Sequence, residues 1–297
     1  MKKALVIVNP ASAGGRNGSR WQTVAKALRQ AGLEFDFTFT ERPAQATELA
    51  REAVLAGREL VVAAGGDGTI NEVASGFFEA GDPIDTHSRL GVLPLGTGSD
   101  FCRTVGVPKD FAAAGRLLVE GTPRPIDVGR VTYRCADGSS GLGYFLNVAD
   151  VGIGGEVVRR VRNGFWLFNG EITLTVASLI TLLQWRNQPM RVVIDGQVEE
   201  MIAQQVVVAN CQYYGGGMQV APRAEFDDGW FDVLIAGDLG RLESLRLIGP
   251  MRRGTHLEHG LEKLSWRRAR TVEVSSPADL RFNLDGEQPG RLPVKFE

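Results

Sequence analysis

An α/β domain followed by an antiparallel β-sandwich is the fold class that this 297-residue sequence predicts, and three observations carry it. Strand-like and helix-like stretches alternate through the first third of the chain, the grammar of parallel strands joined by helical crossovers. After Gly121-Thr122-Pro123-Arg124-Pro125 the pattern changes to β-runs punctuated by turn signals. Glycine is over-used, at 37 of 297 residues or about 12% against a usual value of about 7%, so tight turns and close backbone approaches are expected. A chain of this length also has a prior of about two domains at roughly 150 residues each. We place the boundary at the proline pair, with residues 1–123 in the first domain, open to completion by the last few residues of the chain, and residues 124–297 in the second.

The elements follow in order. Ala4 to Val8 is a short apolar run that stops at Asn9-Pro10; it is far shorter than the core of a signal peptide and reads as a first strand. Trp21, Val24, Ala25 and Leu28 recur at helical spacing. Leu33, Phe35, Phe37 and Phe39 alternate with polar neighbours up to Thr40, Ala44 to Ala56 reads as a helix ended by Gly57, and Leu60 to Ala64 and Leu90 to Leu95 are buried strands. Right-handed crossovers in such a sheet leave ligands beyond the carboxyl ends of the strands. Three unusual loops fall there: Asn9 to Gly15, Gly65 to Thr69 and Gly96 to Asp100.

In the second half the β-runs are Ile126 to Arg134, Tyr144 to Ala149, Arg191 to Ile194, Gln205 to Ala209 and Phe231 to Ala236. Asp195-Gly196 and Asp285-Gly286, each between apolar residues, are hairpin turns. A helical insertion from about Phe165 to Trp185 is apolar apart from Asn169, Glu171, a few threonines and Gln184. It is too interrupted for a membrane span and reads as a half-buried helix able to face lipid.

Composition excludes several functions. With 33 Lys and Arg against 35 Asp and Glu the formal net charge is −2, so no global positive field is available to hold nucleic acid. Cys102, Cys135 and Cys211 are far apart and odd in number, which suggests neither a disulfide framework nor a zinc site and fits a reducing cytosol.

The segment Ala63-Ala64-Gly65-Gly66-Asp67-Gly68-Thr69 leaves a strand, turns on glycines and enters a helix, where backbone N–H groups form an anion cradle. A carboxylate beside bound phosphates repels them unless a divalent cation, or water bound to one, lies between; Asp67 therefore points to a Mg-nucleotide. Its blander reading is a helix cap. Neither a P-loop nor a dinucleotide fingerprint is present. Leu93-Pro94-Leu95-Gly96-Thr97-Gly98-Ser99-Asp100 repeats the design at another strand end, and Asn9, Ser12, Gly14 and Gly15 make a third loop on the same rim. Downstream, the acidic turn around Asp227-Asp228-Gly229 reads either as turn chemistry or as an oxygen-ligand cation site. Leu284-Asp285-Gly286-Glu287 is a hairpin whose carboxylates could accept a hydroxyl proton.

Taken together, Gly65 to Thr69 with Asn71-Glu72-Val73, Leu93 to Thr97 with Asp100-Phe101, Asn147 with Gly152-Ile153-Gly154, Asp228-Gly229 and Asp285-Gly286-Glu287 resemble the soluble bacterial diacylglycerol kinase and lipid kinase family, related to sphingosine and ceramide kinases. The resemblance implies a Rossmann-like three-layer nucleotide domain of the NAD kinase kind, a β-sandwich domain, and an active site in the cleft between them. It implies that Asn9, Pro10, Ala11, Ser12, Ala13, Thr40, Gly66, Asp67, Gly68, Thr69, Ile70, Asn71, Glu72 and Thr97 contact ATP, with Asp67 acting through water on its Mg2+. Glu287 would be the proton acceptor with Asp285 beside it, and a separate structural magnesium would be held by Asp228 and the main-chain carbonyls of Glu225 and Trp230. A reading with Asp67 as the base stays open. Two departures from the family pattern are Ser99, where it has Asn, and Gly98, where it has a small residue such as alanine.

The implied acceptor is a lipid hydroxyl, that of diacylglycerol or a related glycerolipid, met at a membrane surface by a cytoplasmic protein that attaches peripherally. From Arg241 to Arg270, eight Lys/Arg face three acids, a local balance of +5 suited to anionic lipid, or else a solvated helix face. His256 and His259 share a helical spacing but lack a third ligand for a metal. Kinases resembling this chain often pair, so a homodimer is an expectation. The rivals are an NAD kinase, which shares Gly-Gly-Asp-Gly-Thr, and a nucleotide-binding regulator without catalysis. Asn71-Glu72-Val73 and the Leu-Gly-Thr loop argue against the first, and the retained Asp67, Asp285 and Glu287 against the second.

Overall fold

A computed structural model of the chain describes residues 3–162, 164 and 170–297. It divides into two units, Met1–Pro125 and Ile126–Glu297.

The first unit runs β1 (Ala4–Val8), α1 (Arg16–Gln30), β2 (Phe35–Phe39), α2 (Gln45–Leu55), β3 (Leu60–Gly65), α3 (Asp67–Ser75), the small hairpin β4 (Phe78–Glu79) and β5 (Asp82–Pro83), β6 (Arg89–Pro94), α4 (Asp100–Val105) and α5 (Phe111–Glu120). Its sheet has the order β2-β1-β3-β6 and every pairing is parallel. Parallel strands are covered on both faces, so β1 and β3 read as continuous apolar runs rather than alternating ones. Successive side chains point to opposite faces. Val6, Val8, Val62, Ala64 and Leu93 form one core with Trp21, Val24 and Leu28 of α1 and Ala114 of α5. The other face is covered by α2 and α3. Each such buried aliphatic side chain contributes about 1.5–3 kcal/mol. Trp21 also meets the edge strand, its ring 5.2 Å from Phe37 and 6.1 Å from Phe35.

The second unit runs β7 (Gly129–Arg134), β8 (Ser140–Phe145), β9 (Val148–Gly152), α6 (Ile153–Arg162), α7 (Gly170–Gln184), β10 (Gln188–Ile194), β11 (Gln197–Ala203), β12 (Gln205–Ala209), the hairpin β13 (Tyr213–Tyr214) and β14 (Met218–Gln219), β15 (Phe231–Ala236), α8 (Arg241–Arg253), a 3-10 turn (His256–His259), β16 (Leu264–Ala269), β17 (Val272–Ser275), β18 (Phe282–Leu284) and β19 (Arg291–Phe296). Two antiparallel sheets, β11-β10-β17-β19-β7-β8 and β16-β15-β12-β9-β18, enclose a core that includes Val131, Phe145, Val192, Val206, Val233, Val272, Phe282 and Phe296. This is the expected sandwich.

Three sequence expectations are corrected, and a fourth falls partly outside the described residues. The last strand does not join the first unit: β19 pairs with β17 and β7, and Val294 and Phe296 alternate into the sandwich core. The run expected from Ile126 becomes strand only at Gly129, because Asp127 is drawn aside, its N–H donating to Phe226 O at 2.7 Å and its carboxylate accepting from Gly229 N–H. His256 and His259 sit in a 3-10 turn rather than on one α-helical face. The expected insertion begins, in the part described, at Gly170; Phe165 to Asn169 lie outside the described residues.

Candidate active site

The three glycine-rich loops of the first unit meet at the carboxyl ends of β1, β3 and β6, and side chains knit them together. Asn9, at the end of β1, donates from Nδ2 to Thr69 Oγ1 on α3 at 3.0 Å and accepts Ala11 N–H on Oδ1 at 3.0 Å. Buried Asn17, on α1, donates to Leu95 O at 3.0 Å. Thr40 follows β2 and its N–H reaches Val8 O at 2.9 Å, which brings the β2 exit to the same rim. After Asn9, the residues Ala13, Gly14 and Gly15 all take left-handed backbone conformations before α1 begins.

Asp67 does not cap its own helix. Its Oδ2 accepts the N–H of Asp100 at 3.2 Å and its Oδ1 that of Phe101 at 3.0 Å, so it caps α4, the helix that follows the third loop. A carboxylate at a helix N-terminus offsets two of the amides that lack an intrahelical partner. The loops can cross this closely because they are glycine where they touch: a Cβ on Gly96 would stand 2.4 Å from Gly66 Cα. Gly98 marks a second approach, since a Cβ there would lie 3.4 Å from Asp67 Oδ2 and 3.7 Å from Asp100 Oδ2. Asp100, almost fully buried, therefore faces the same spot as Asp67. Two acids at one loop tip favour a divalent cation on charge grounds. Asp67 keeps a second lone pair on each oxygen for that purpose.

The other ATP contacts implied by resemblance are placed as follows. Gly66, Asp67 and Gly68 are half-buried at the rim and Thr97 is exposed there. Pro10 and Ser12 are half-buried and Ala11 is exposed. Asn71 lies half-buried one turn further into α3. Ile70 is a core side chain whose N–H donates to Gly66 O, and Glu72 spends its carboxylate on the N-terminus of α2, accepting Ala44 N–H at 3.2 Å and Ala46 N–H at 3.3 Å. Both build the loop rather than point into it.

In the second unit the turn Asp285-Gly286 joins β18 to the residues that follow, both with positive φ as a two-residue hairpin turn requires. Asp285 is locked. Its carboxylate accepts the backbone N–H groups of Leu146 at 2.8 Å, Asn147 at 3.1 Å and Val148 at 2.9 Å. Asn283 holds the turn from the other side, accepting Gly286 N–H at 2.9 Å and donating to Asp150 Oδ2 at 2.8 Å. Glu287, exposed, is fixed by a reciprocal backbone pair with Leu284, each bond 2.8 Å. Burial pushes the carboxyl of Asp150 up from 3.8 to about 6, against the bond from Asn283 that lowers it. Tyr214, raised by its burial and by the nearby Asp150, accepts from Gln205 Nε2 at 3.2 Å in the same polar cluster.

At the acidic turn, Asp228 accepts Trp230 N–H on Oδ1 at 3.0 Å, while Oδ2 is ion-paired with Arg268. Arg268 and Arg270 also lie over the Trp230 ring, at 5.7 and 4.6 Å. The Arg268 guanidinium thus lies against the carboxylate through which, with the main-chain carbonyls of Glu225 and Trp230, the family resemblance implies a structural magnesium, and these donors fit that ion only with Arg268 moved aside. Among the described residues no group of three or more His, Cys, Asp or Glu gathers as a metal site.

Asp100, Asn17, Asn283 and Asp150 were missing from the sequence-derived set of site residues. Asp100 carried a signal, an acid closing a glycine loop at a strand end. Asp150 carried none, sitting mid-strand among apolar residues.

Residues 3–131 match the family model described as "Diacylglycerol kinase catalytic domain", and residues 147–297 that described as "YegS C-terminal NAD kinase beta sandwich-like domain". The chain is 31% identical over 297 residues to a Bacillus subtilis protein named diacylglycerol kinase, covering 100% of this chain and 93% of that one. It is 29% identical over 295 residues to a diacylglycerol kinase of Staphylococcus carnosus, covering 99% and 92%. A crystal structure described as a diacylglycerol kinase from Bacillus anthracis superimposes with a TM-score of 0.77 at 25% identity, covering 100% of this chain and 93% of that one.

Proposed function

This chain belongs to the diacylglycerol kinase family, as a lipid kinase that moves a phosphoryl group to a hydroxyl acceptor, and from that membership we propose that ATP is the donor, Mg2+ the metal, and the free hydroxyl of diacylglycerol or a related glycerolipid the acceptor. The observation that supports it best is the rim where Asp67 and Asp100 face Gly98 while Asn9, Thr69 and Asn17 fasten the loops around them.

Phosphoryl transfer asks little covalent chemistry of a protein, so positioning and charge stabilisation supply most of the rate. The backbone amides of the three loops hold the phosphates, with the N-terminus of α3 behind them. Mg2+, when bound, neutralises charge developing on the phosphates, and Asp67 and Asp100 are the residues that would hold it through its water. Because Asp67 is fixed by two amides of α4, its carboxylate needs no reordering when nucleotide arrives. Glu287 takes the proton of the attacking hydroxyl, a contribution of about 10²- to 10⁴-fold. Asp285 is the positioning residue of that turn: three backbone amides occupy its carboxylate.

The lipid acceptor calls for reversible attachment to a membrane surface by a protein resident in the cytoplasm, where ATP is available. Of the eight cations between Arg241 and Arg270, Lys263, Arg267 and Arg268 are engaged by Glu243, Glu199 and Asp228, and the ones on α8 support this attachment. A homodimer stays part of the proposal. ADP release in mixed micelles presenting diacylglycerol, phosphatidylglycerol or sphingosine, with NAD as the soluble control, tests the reading. Turnover on a glycerolipid supports it; turnover on NAD alone overturns it.

A further inference from the structure

Helix α7 leaves part of its apolar surface uncovered while burying two threonines. Its buried residues are Thr173, Ala177, Thr181 and Leu182, the first three nearly inaccessible to water, with Leu174 and Ile180 half-buried. Thr181 Oγ1 turns back onto Ala177 O at 2.7 Å and accepts from Arg160 of α6 at 3.1 Å. Ile172, Leu179 and Leu183 are instead 51%, 41% and 49% exposed, with Val176 half-buried between them. Spacings of four, three and four residues put these four on one stripe. Scattered single apolar residues on a surface need no explanation, but an aligned stripe left exposed on a helix that buries two threonines does.

The stripe is bordered by positive charge. Arg252 of α8 donates to Thr175, which lies within the stripe between Ile172 and Leu179, at 3.3 Å. One turn back on α8, Ile248 is exposed as well. Arg241, Arg246 and Arg253 are exposed on α8, whose one acid, Glu243, is taken by Lys263 and by Gly240 N–H. Between Ile172 and Gln184 there is no charged residue. Self-association through a two-fold axis would set this arginine-bordered patch against its own copy, like charge against like. An anionic bilayer surface complements both its components. No described helix is long and apolar enough to cross a membrane, and α7, at about 22 Å, is shorter than the hydrocarbon core.

We propose that the exposed stripe of α7 and the arginines of α8 form one membrane-docking face, with α7 lying in the plane of an anionic lipid surface and its leucines entering the headgroup boundary. The proposal rests on the lipid-kinase reading for its purpose, but its test needs no turnover. Full-length protein is sedimented with vesicles of phosphatidylcholine alone or mixed with phosphatidylglycerol, without ATP. The intact protein is expected to favour the anionic vesicles. Leu179→Ser with Leu183→Ser is expected to weaken binding to them about tenfold or more, and Arg252→Gln with Arg253→Gln by about fivefold per cation. Both variants should keep the thermal midpoint and turnover on a dispersed short-chain diacylglycerol while losing turnover on lipid in vesicles. Unchanged vesicle binding in the leucine variant overturns the proposal, as does a leucine variant that changes only the sedimentation coefficient of the lipid-free protein, which would mark the face as a contact between copies. Vesicle binding that depends on the stripe, in a protein that phosphorylates no lipid, upholds the docking face and counts against the kinase reading alone.

Discussion

The carboxylate of Asp67 accepts the backbone N–H groups of Asp100 and Phe101, at 3.2 and 3.0 Å, so the acid of one glycine loop caps the helix that follows another. The cap and the metal-facing role proposed for Asp67 use the same two oxygens, and substitutions can separate them. Asp67→Ala removes both: stability is expected to fall by about 1–2 kcal/mol, the usual worth of a helix cap, together with turnover. Asp67→Asn keeps one acceptor oxygen and should hold most of the stability while turnover still falls at least about a hundredfold. Urea unfolding alongside ADP release checks both. Equal destabilisation by Ala and Asn, with turnover preserved in Asn, would reduce Asp67 to its capping role.

Two glycines two residues apart are expected to respond in opposite ways. Gly96→Ala sets a methyl 2.4 Å from the Gly66 backbone, which cannot yield without moving the phosphate rim, so a loss of about 1–3 kcal/mol and of ATP binding is expected. Gly98→Ala meets Asp67 Oδ2 at 3.4 Å, an ordinary contact, and should stay within about 0.5 kcal/mol. Thermal unfolding with and without ATP distinguishes them.

Asp150 makes stability depend on pH in an uncommon direction. Its folded pKa, about 6, lies above the ordinary 3.8, so the folded state holds its proton more tightly than the unfolded one. The resulting stabilisation is full below about 3.8 and is lost as pH rises toward and past 6. Asp150→Asn keeps an oxygen for Asn283 and cannot ionise, so relative to the parent it should gain stability between pH 4 and 7, approaching about 3 kcal/mol on the alkaline side. Unfolding free energies of both proteins across this range check it; a difference flat in pH contradicts it.

At Asp228 the competitor of a cation is Arg268. Removing divalent ions with a chelator is expected to leave the thermal midpoint of the nucleotide-free protein unchanged, because the guanidinium already neutralises the carboxylate. Arg268→Ala should expose the site and make the midpoint rise with added Mg2+. A midpoint that depends on Mg2+ in the parent protein would instead restore the structural ion.

How much of this was legible depended on whether a residue's role was local. β1, β3 and β6 could be read because strands covered on both faces must be apolar throughout, and the loops at their ends because glycine is costly elsewhere. The link from Asp67 to α4 was hidden: Ser99, at φ 53°, enters that helix in a left-handed conformation that serine seldom takes. Asn would tolerate that conformation better than serine does. Asp150 was masked by its strand, Val148–Gly152, which is buried at every position. β16 was missed because Leu264–Ala269 carries two arginines and a tryptophan whose charges find partners only across the fold, Arg267 on Glu199 and Arg268 on Asp228. Helix α7 was legible as apolar but its exposed stripe was not, because helical periodicity reports which residues share a face and not which face is covered.

We propose that Glu287, on the turn held by Asp285 and Asn283, takes the proton of the lipid hydroxyl when Mg-ATP is bound. The most direct measurement is ADP release from Mg-ATP with diacylglycerol in mixed micelles, for the parent protein and Glu287→Gln, beside equilibrium binding of ATP to both. Turnover is expected to fall about 10²- to 10⁴-fold in Glu287→Gln with ATP affinity unchanged. Near-parental turnover in that variant would contradict it and pass the role of base to Asp67.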